Sequence, residues 1–435
     1  VSYRQLHKSA FKEEVLMQPV TNHNGKAHDL HQSQPPKLKF NPFLPEFHSD
    51  PYPIYDRLRT EDPVHLSSLG IWMISRYVDV IQALRDPHLS SEQSHISRYS
   101  RQQGTLSPVA ALSSKCLFFR DPPDHTRLRR LVSKAFNPRV IEEMRPRIVE
   151  FVNELIDGIG GAGEIDIIAD FSKPLPVRTI SELLGIPEAD REQLKHWSHW
   201  LGQIFDPMKS SNLSEQVNQA VLEFRDYLID LIAKRRQYPQ NDLISALIQA
   251  RDEQDQLTED ELLVTCMLLF ASGEETTVNL IGNGMLSLLR HPDQLAKLQE
   301  HPSLIPSAVE ELLRYESPLQ ICGRTAIANF EIGGKTIRKG VPVFLLVGSA
   351  NRDPAQFPDA DRLDLARPDN RHLAFGDGIH YCLGSGLARI QGQIAIHALI
   401  QRLPSLQLST DTPQWRENIF LRGLQTLPVT FSQRG

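Results

Sequence analysis

Apolar residues recur at helical spacing over 258–291, the longest such stretch in the chain. Thr258-Glu259-Asp260-Glu261 predicts its start through a capping box, and His291-Pro292 predicts its end. Small and polar residues, Phe270-Ala271-Ser272-Gly273-Glu274-Glu275-Thr276-Thr277, interrupt the middle of this helix. A glycine inside a helix costs about 1 kcal/mol relative to alanine, so some contact must offset Gly273. Helical spacing also follows Asp50-Pro51 and Asp121-Pro122, and covers 78–84, 148–156, 177–184, 191–205 and 217–236. Short apolar runs predict strands at Val64-His65-Leu66 and Ile71-Trp72-Met73-Ile74, joined as a hairpin, and at Glu164 to Ile168. More β structure is expected from Phe330 to Val347, cut by Gly333-Gly334 and Lys339-Gly340, and in a strand-turn-strand from Thr412 to Phe431 with Ile419-Phe420-Leu421 at its tip. The pattern is mainly α with smaller β regions.

Three stretches lack periodicity. Residues 1–38 are polar and end at Gln34-Pro35-Pro36, which predicts a flexible N-terminal extension before one domain at 39–435. Residues 87–118 are Ser- and Gln-rich, and a loop this long inside a domain is expected to be functional or mobile. Asp206 to Asn212 reads as a flexible connector.

A net charge of -6 over 435 residues argues against nucleic acid as a partner, since phosphate binding needs a basic excess. The first forty residues hold no apolar run approaching the roughly 18 residues that a membrane span requires and no signal-peptide core, so no membrane span is expected. The four cysteines, Cys116, Cys266, Cys322 and Cys382, have no paired spacing, so a reducing, cytoplasmic setting is expected. Dispersed histidines in the first forty residues make no metal site by themselves.

One cysteine stands apart. Phe375-Gly376-Asp377-Gly378-Ile379-His380-Tyr381-Cys382-Leu383-Gly384 places Cys382 in a glycine-rich loop that opens a helix at Leu387-Ala388-Arg389. Unpaired N–H groups at a helix start stabilise a thiolate, and glycines permit close approach by a flat partner. No second cysteine lies two to four residues away, so zinc and iron–sulfur sites lose their usual spacing while haem with one thiolate ligand remains. The plain alternative is a small core cysteine in a tight turn.

Two further pairs carry charge at helical spacing. His125 and Arg129 share a face and can point at one anion, though a basic helix is otherwise a solvated surface. Glu311 and Arg314 can form a charge-assisted pair, a common feature of helices. Gly158-Ile159-Gly160-Gly161-Ala162-Gly163 matches the dinucleotide pattern in letters only. It follows a helix and precedes a strand, the reverse of the order a phosphate site requires, and reads as a helix-ending turn.

The F-G-x-G-x-H-x-C-x-G pattern at Phe375, Gly376, Gly378, His380, Cys382 and Gly384 resembles the haem signature of the cytochromes P450, particularly soluble bacterial members acting on polyketides, macrolides or fatty acyl chains. The resemblance runs from about residue 40 to the end. It implies the cytochrome P450 fold, a single triangular domain with haem b between the long central helix and the cysteine loop. By the same resemblance Cys382 is the metal ligand, Phe375 shields it, the N–H groups of Leu383 and Gly384 tune it, and His125, Arg129, Arg324 and His380 hold the propionates. Gly273 lets the helix pass over the haem, and Glu275 and Thr276 relay protons for dioxygen activation. Ser272 stands where a small apolar residue is commoner. Glu311, Arg314 and Arg367 form the architectural Glu-x-x-Arg and meander triad, and 206–212 becomes a lid.

The implied activity is a monooxygenase inserting one atom of O2 into a bulky apolar small molecule. Electrons come from a ferredoxin or flavodoxin, docking near Arg127, Arg130 and Lys134 on a monomeric protein. A peroxide-driven peroxygenase, a haem-thiolate isomerase and a non-catalytic haem binder are the alternatives.

Overall fold

The computed structural model describes residues 40–42, 44–92, 114–159, 163–190, 193–194, 196–197, 200, 215–252 and 255–432. The N-terminal extension, the 206–212 connector, and most of the 87–118 loop and of the 191–205 helix lie outside them.

The central helix, Glu259–Arg290, begins as its sequence predicts. Thr258 N donates to Glu261 Oε2 at 2.9 Å, Glu261 N donates back to Thr258 Oγ1 at 3.3 Å, and Arg290 occupies the last turn. Acids near the first turn and a cation in the last suit the helix dipole. Two further helices pack on it, Ile305–Tyr315 and Ser385–Arg402. Small residues allow the close approach. A Cβ on Gly284 would lie 3.2 Å from both Ile396 and Leu312, and one on Gly392 would lie 2.9 Å from Leu280. The helix that follows Cys382 is thereby fixed against the helix that carries Glu275 and Thr276. The main core extends from this junction into Arg145–Ile159, Pro174–Leu184 and Glu215–Gln237, with Phe151, Phe171, Phe224 and Phe270 fully buried.

A five-stranded sheet runs in the order Val64–Leu66, Trp72–Ile74, Pro342–Leu346, Ile321–Ala326 and Leu89–Ser90. The first two strands pair antiparallel, Val64 opposite Ile74, as the hairpin reading requires. Pro342–Leu346 is parallel to Trp72–Ile74 and antiparallel to Ile321–Ala326, with Val343 opposite Arg324. Two expectations about strands need correction. Glu164–Asp166 is a strand, but Ile167–Ser172 turns into a π-helical segment because Asp166 Oδ1 accepts the Ile168 N–H at 2.9 Å. The C-terminal segment forms no continuous hairpin. Trp415 and Leu424 make one isolated bridge, the tip bridges Leu319 through Leu421, and only Pro428–Thr430 enters a sheet.

The glycine-rich match at 158–163 has the helix Arg145–Ile159 before it and the strand Glu164–Asp166 after it. Among the described residues no helix is long and apolar enough to cross a membrane.

Candidate functional site

The Cys382 loop is held by its own backbone. Cys382 N donates to Phe375 O at 2.9 Å, Gly376 N to Leu373 O at 2.8 Å and Tyr381 N to Gly378 O at 3.1 Å. Gly376 and Gly378 have φ of 70° and 69°, the left-handed region that glycine enters without strain. At Gly378 there is also no room, since a Cβ would stand 2.9 Å from Leu84 O. Arg85 Nε meets Asp377 at 2.6 Å and ties this turn to the helix Tyr77–Arg85. Burial pushes the Cys382 thiol up, opposed by the Gly384 N–H, by the Arg129 and Arg389 charges and by the Ser385 N–H. Gly384, one of the two residues whose N–H groups were expected near the sulfur, is among these, and the Ser385 N–H also donates to the Cys382 carbonyl at 3.4 Å.

The helix Asp124–Ala135 buries His125, Leu128, Val132 and Ala135 along one stripe. That places His125 inside, only 2% exposed, with its ring centroid 4.3 Å from that of His380. Neither His125 Nε2 nor His380 Nε2 has a hydrogen-bond partner. Burial pulls His380 down to about 3, with the Arg324, His125 and Arg129 charges adding to the effect. His125 is lowered by burial and by Arg129. Four groups, His125, Arg129, Arg324 and His380, thus converge. Arg324 comes from the sheet and is nearly buried, with Nη1 donating to Gly323 O at 2.8 Å. Two buried imidazole nitrogens without hydrogen-bond partners beside two guanidinium groups suit a ligand that offers acceptors and negative charge.

On the central helix, Thr276 Oγ1 donates to Ser272 O at 3.2 Å and Thr277 Oγ1 to Gly273 O at 3.0 Å. Ser272 Oγ is turned onto Leu268 O at 2.7 Å. A Cβ on Gly273 would meet nothing within 4 Å. Glu275 has a partner that sequence reasoning missed: Arg416 Nη1 lies 3.1 Å from its Oε1.

Glu311 and Arg314 are fully buried and joined twice at 2.8 Å. Arg367 Nε reaches both Glu311 oxygens at 3.1 Å, and Arg314 donates to the carbonyls of Asn351, Ala360 and Arg362. This triad threads the irregular 351–371 segment onto the helix Ile305–Tyr315.

The expected basic docking patch is neutralised within the chain. Arg127 pairs with Asp255 at 3.2 Å and with Glu261, while Asp252 takes both Arg130 and, at 2.6 Å, Lys134. The residues around Arg127 carry no sign of this, because these acids lie more than a hundred residues downstream. Glu310 and Arg389 were also missed, paired at 2.7 Å with Arg389 above the Phe375 ring. The available signal was the doubled acid, Glu310-Glu311, one more than Glu-x-x-Arg needs.

A glycine with an open side on a long helix, one cysteine at a helix start, and orphaned imidazoles beside the buried Arg324 and half-buried Arg129 suit a flat iron porphyrin with acidic edges. The residues present fit haem. A family profile described as Cytochrome P450 matches residues 64–430. The chain is 43% identical over 389 residues to the biotin biosynthesis cytochrome P450 of Bacillus subtilis (strain 168), covering 89% of this chain and 97% of that protein. It is 41% identical over 408 residues to the polyketide biosynthesis cytochrome P450 PksS of the same organism, covering 91% and 100%. Among solved structures it resembles P450BioI in complex with hexadec-9Z-enoic acid ligated acyl carrier protein, with a TM-score of 0.82, 42% identity, and 89% and 99% of the two chains covered. The protein is a haem monooxygenase, an oxidoreductase with haem b as its prosthetic group. It belongs to the cytochrome P450 family.

Proposed function

We propose that this enzyme hydroxylates a long or bulky apolar biosynthetic molecule of the polyketide, macrolide or fatty acyl kind, with electrons delivered by a ferredoxin and its reductase. The observation that carries the substrate class is the likeness, over 89% of this chain, to a structure holding a hexadec-9Z-enoic acyl chain on its carrier protein. The biosynthetic relative PksS supports the polyketide side of the class.

In this reading Cys382 holds the iron, and His125, Arg129, Arg324 and His380 orient the two propionates. Gly273 allows the porphyrin face to approach the central helix, and Phe375 keeps water from the sulfur. When bound, the haem supplies dioxygen activation and electron storage, with the thiolate donating electron density that favours O–O cleavage. The chain's own task on the other face is proton supply. Glu275 takes protons from solvent and Thr276 passes them inward, with Arg416 fixing the Glu275 carboxylate.

A spin-state titration tests the substrate class. Free hexadec-9Z-enoic acid, the same acyl group on a carrier protein and a macrolactone are added separately to the ferric enzyme. Conversion toward high spin with at least one of them is expected. Silence with all three, together with a shift from a small polar molecule, overturns it.

A further inference from the structure

The Phe375 ring is enclosed by three side chains. Arg389 Cζ lies 4.5 Å above its centroid, the His372 ring is 5.9 Å away and the Tyr381 ring 6.3 Å away. All three lead back to one carboxylate. Glu310 Oε1 accepts from Arg389 Nε at 2.7 Å, and Glu310 Oε2 meets Arg389 Nη2 at 2.9 Å and His372 Nε2 at 3.0 Å. Tyr381 joins through its hydroxyl, which takes Arg389 Nη1 at 3.3 Å. Phe375 in turn accepts the Cys382 N–H on its carbonyl.

The geometry of the helix Ile305–Tyr315 explains why adjacent acids serve separate ends. Successive residues are turned by about 100° around a helix axis, so Glu311 faces Arg314 and Arg367 while Glu310 faces the cysteine loop. A guanidinium gripped at both nitrogens by a carboxylate has little freedom, and its plane then restricts whatever ring it covers. His372 is held on the same carboxylate, so the cage closes around the ring from two sides.

We propose that Glu310 is a positioning residue for the thiolate: through Arg389 and His372 it immobilises the Phe375 ring beside Cys382 and thereby sets the reduction potential of the haem iron. The proposal rests on the reading of Cys382 as the thiolate ligand. Removing the Glu310 charge loosens Arg389 and then the ring, and water gains access to the sulfur. Hydrogen bonds to a ligating sulfur withdraw electron density and favour the reduced state, so the potential rises.

The test is a double-mutant cycle on the haem-loaded enzyme: wild type, Glu310→Gln, Phe375→Leu and the double variant. The midpoint potential is measured together with the rate at which the reduced carbon monoxide complex loses its red-shifted Soret band. Glu310→Gln is expected to move the ferric/ferrous ratio at fixed potential about tenfold toward ferrous, about 59 mV for a one-electron couple, and to speed loss of the band. Both effects should vanish when Phe375 is already leucine, the non-additivity that marks coupled neighbours. An unshifted Glu310→Gln enzyme overturns the proposal. So does a shift that persists unchanged in the Phe375→Leu background, because the carboxylate then acts by charge at a distance. Arg389→Lys keeps the charge and loses the planar lid. It is expected to reproduce the rise, and it carries the test if Glu310→Gln does not load haem. A normal wild-type band with unshifted variants removes only the positioning role, whereas a wild type without the band removes the thiolate reading beneath it.

Discussion

Arg416 Nη1 stands 3.1 Å from Glu275 Oε1 and joins the C-terminal segment to the middle of the central helix. Arg416 is itself placed by neighbours in that segment. Its backbone N–H donates to Gly423 O at 2.9 Å, and Arg422 next to Gly423 stacks on Trp415 at 3.5 Å and binds Glu316 at 2.6 Å. The Arg416–Glu275 pair is partly exposed, so the contact itself contributes about 1 kcal/mol or less to stability. Its effect is expected in proton supply. Arg416→Gln should lower product formed per electron consumed and raise hydrogen peroxide, with the carbon monoxide spectrum unchanged. Adding Arg416→Gln to Glu275→Gln should cost nothing further. A fully coupled Arg416→Gln enzyme contradicts the assignment.

The acids that cover Arg127, Arg130 and Lys134 determine how an electron donor senses this face. Neutralised cations steer weakly, so ferredoxin-dependent reduction of the wild type should change little with ionic strength. Asp252→Asn uncovers both Arg130 and Lys134 and should make reduction faster at low salt and steeper in its salt dependence. Stopped-flow reduction over a salt series decides this. Identical slopes for wild type and Asp252→Asn place the docking surface elsewhere.

Glu311 accepts from Arg314, Arg367, Asn370 and the Asp364 N–H while fully buried. Glu311→Ala leaves Arg314 uncompensated in the core, a loss of about 3–5 kcal/mol for breaking a buried pair from one side. The expected outcome is protein that fails to retain haem at ordinary temperature, measured by thermal unfolding and by the haem-to-protein absorbance ratio. A variant of wild-type stability would show that the 351–371 segment is held by other contacts.

Acid stability follows from Glu310. Burial works against its ionisation, yet hydrogen bonds from His372 and Arg389 and their charges bring its carboxyl from 4.5 to about 2. A carboxylate depressed in the folded state stabilises the protein above its unfolded value, and the contribution is lost as pH falls from 4.5 through about 2. The wild type should therefore lose more stability than Glu310→Gln between about pH 5 and about pH 3 in denaturant titrations. Parallel losses in both proteins contradict a depressed Glu310.

How far the chain could be read depended on whether a residue's partners were near it in sequence. The central helix was legible because its cap, Thr258 with Glu261, is complete within one turn. The turn of the Cys382 loop was legible because glycines at 376 and 378 bend the backbone wherever the rest of the chain lies. Arg416 was not, since nothing near Trp415 implies a carboxylate more than a hundred residues upstream. The acids paired with Arg127, Arg130 and Lys134 were not legible for the same reason, since they arrive from a distant turn. Ile167 and Ile168 read as strand from their side chains, while the Asp166 cap on the Ile168 N–H turned the backbone into a helix instead.

Every role proposed for the residues around the haem requires Cys382 to bind iron as a thiolate. A difference spectrum of the dithionite-reduced protein with and without carbon monoxide tests this directly. A Soret band strongly red-shifted from that of histidine-ligated haem is expected, with its loss in Cys382→Ala. A wild-type band at the position of histidine- or thiol-ligated haem, or one that persists in Cys382→Ala, contradicts it.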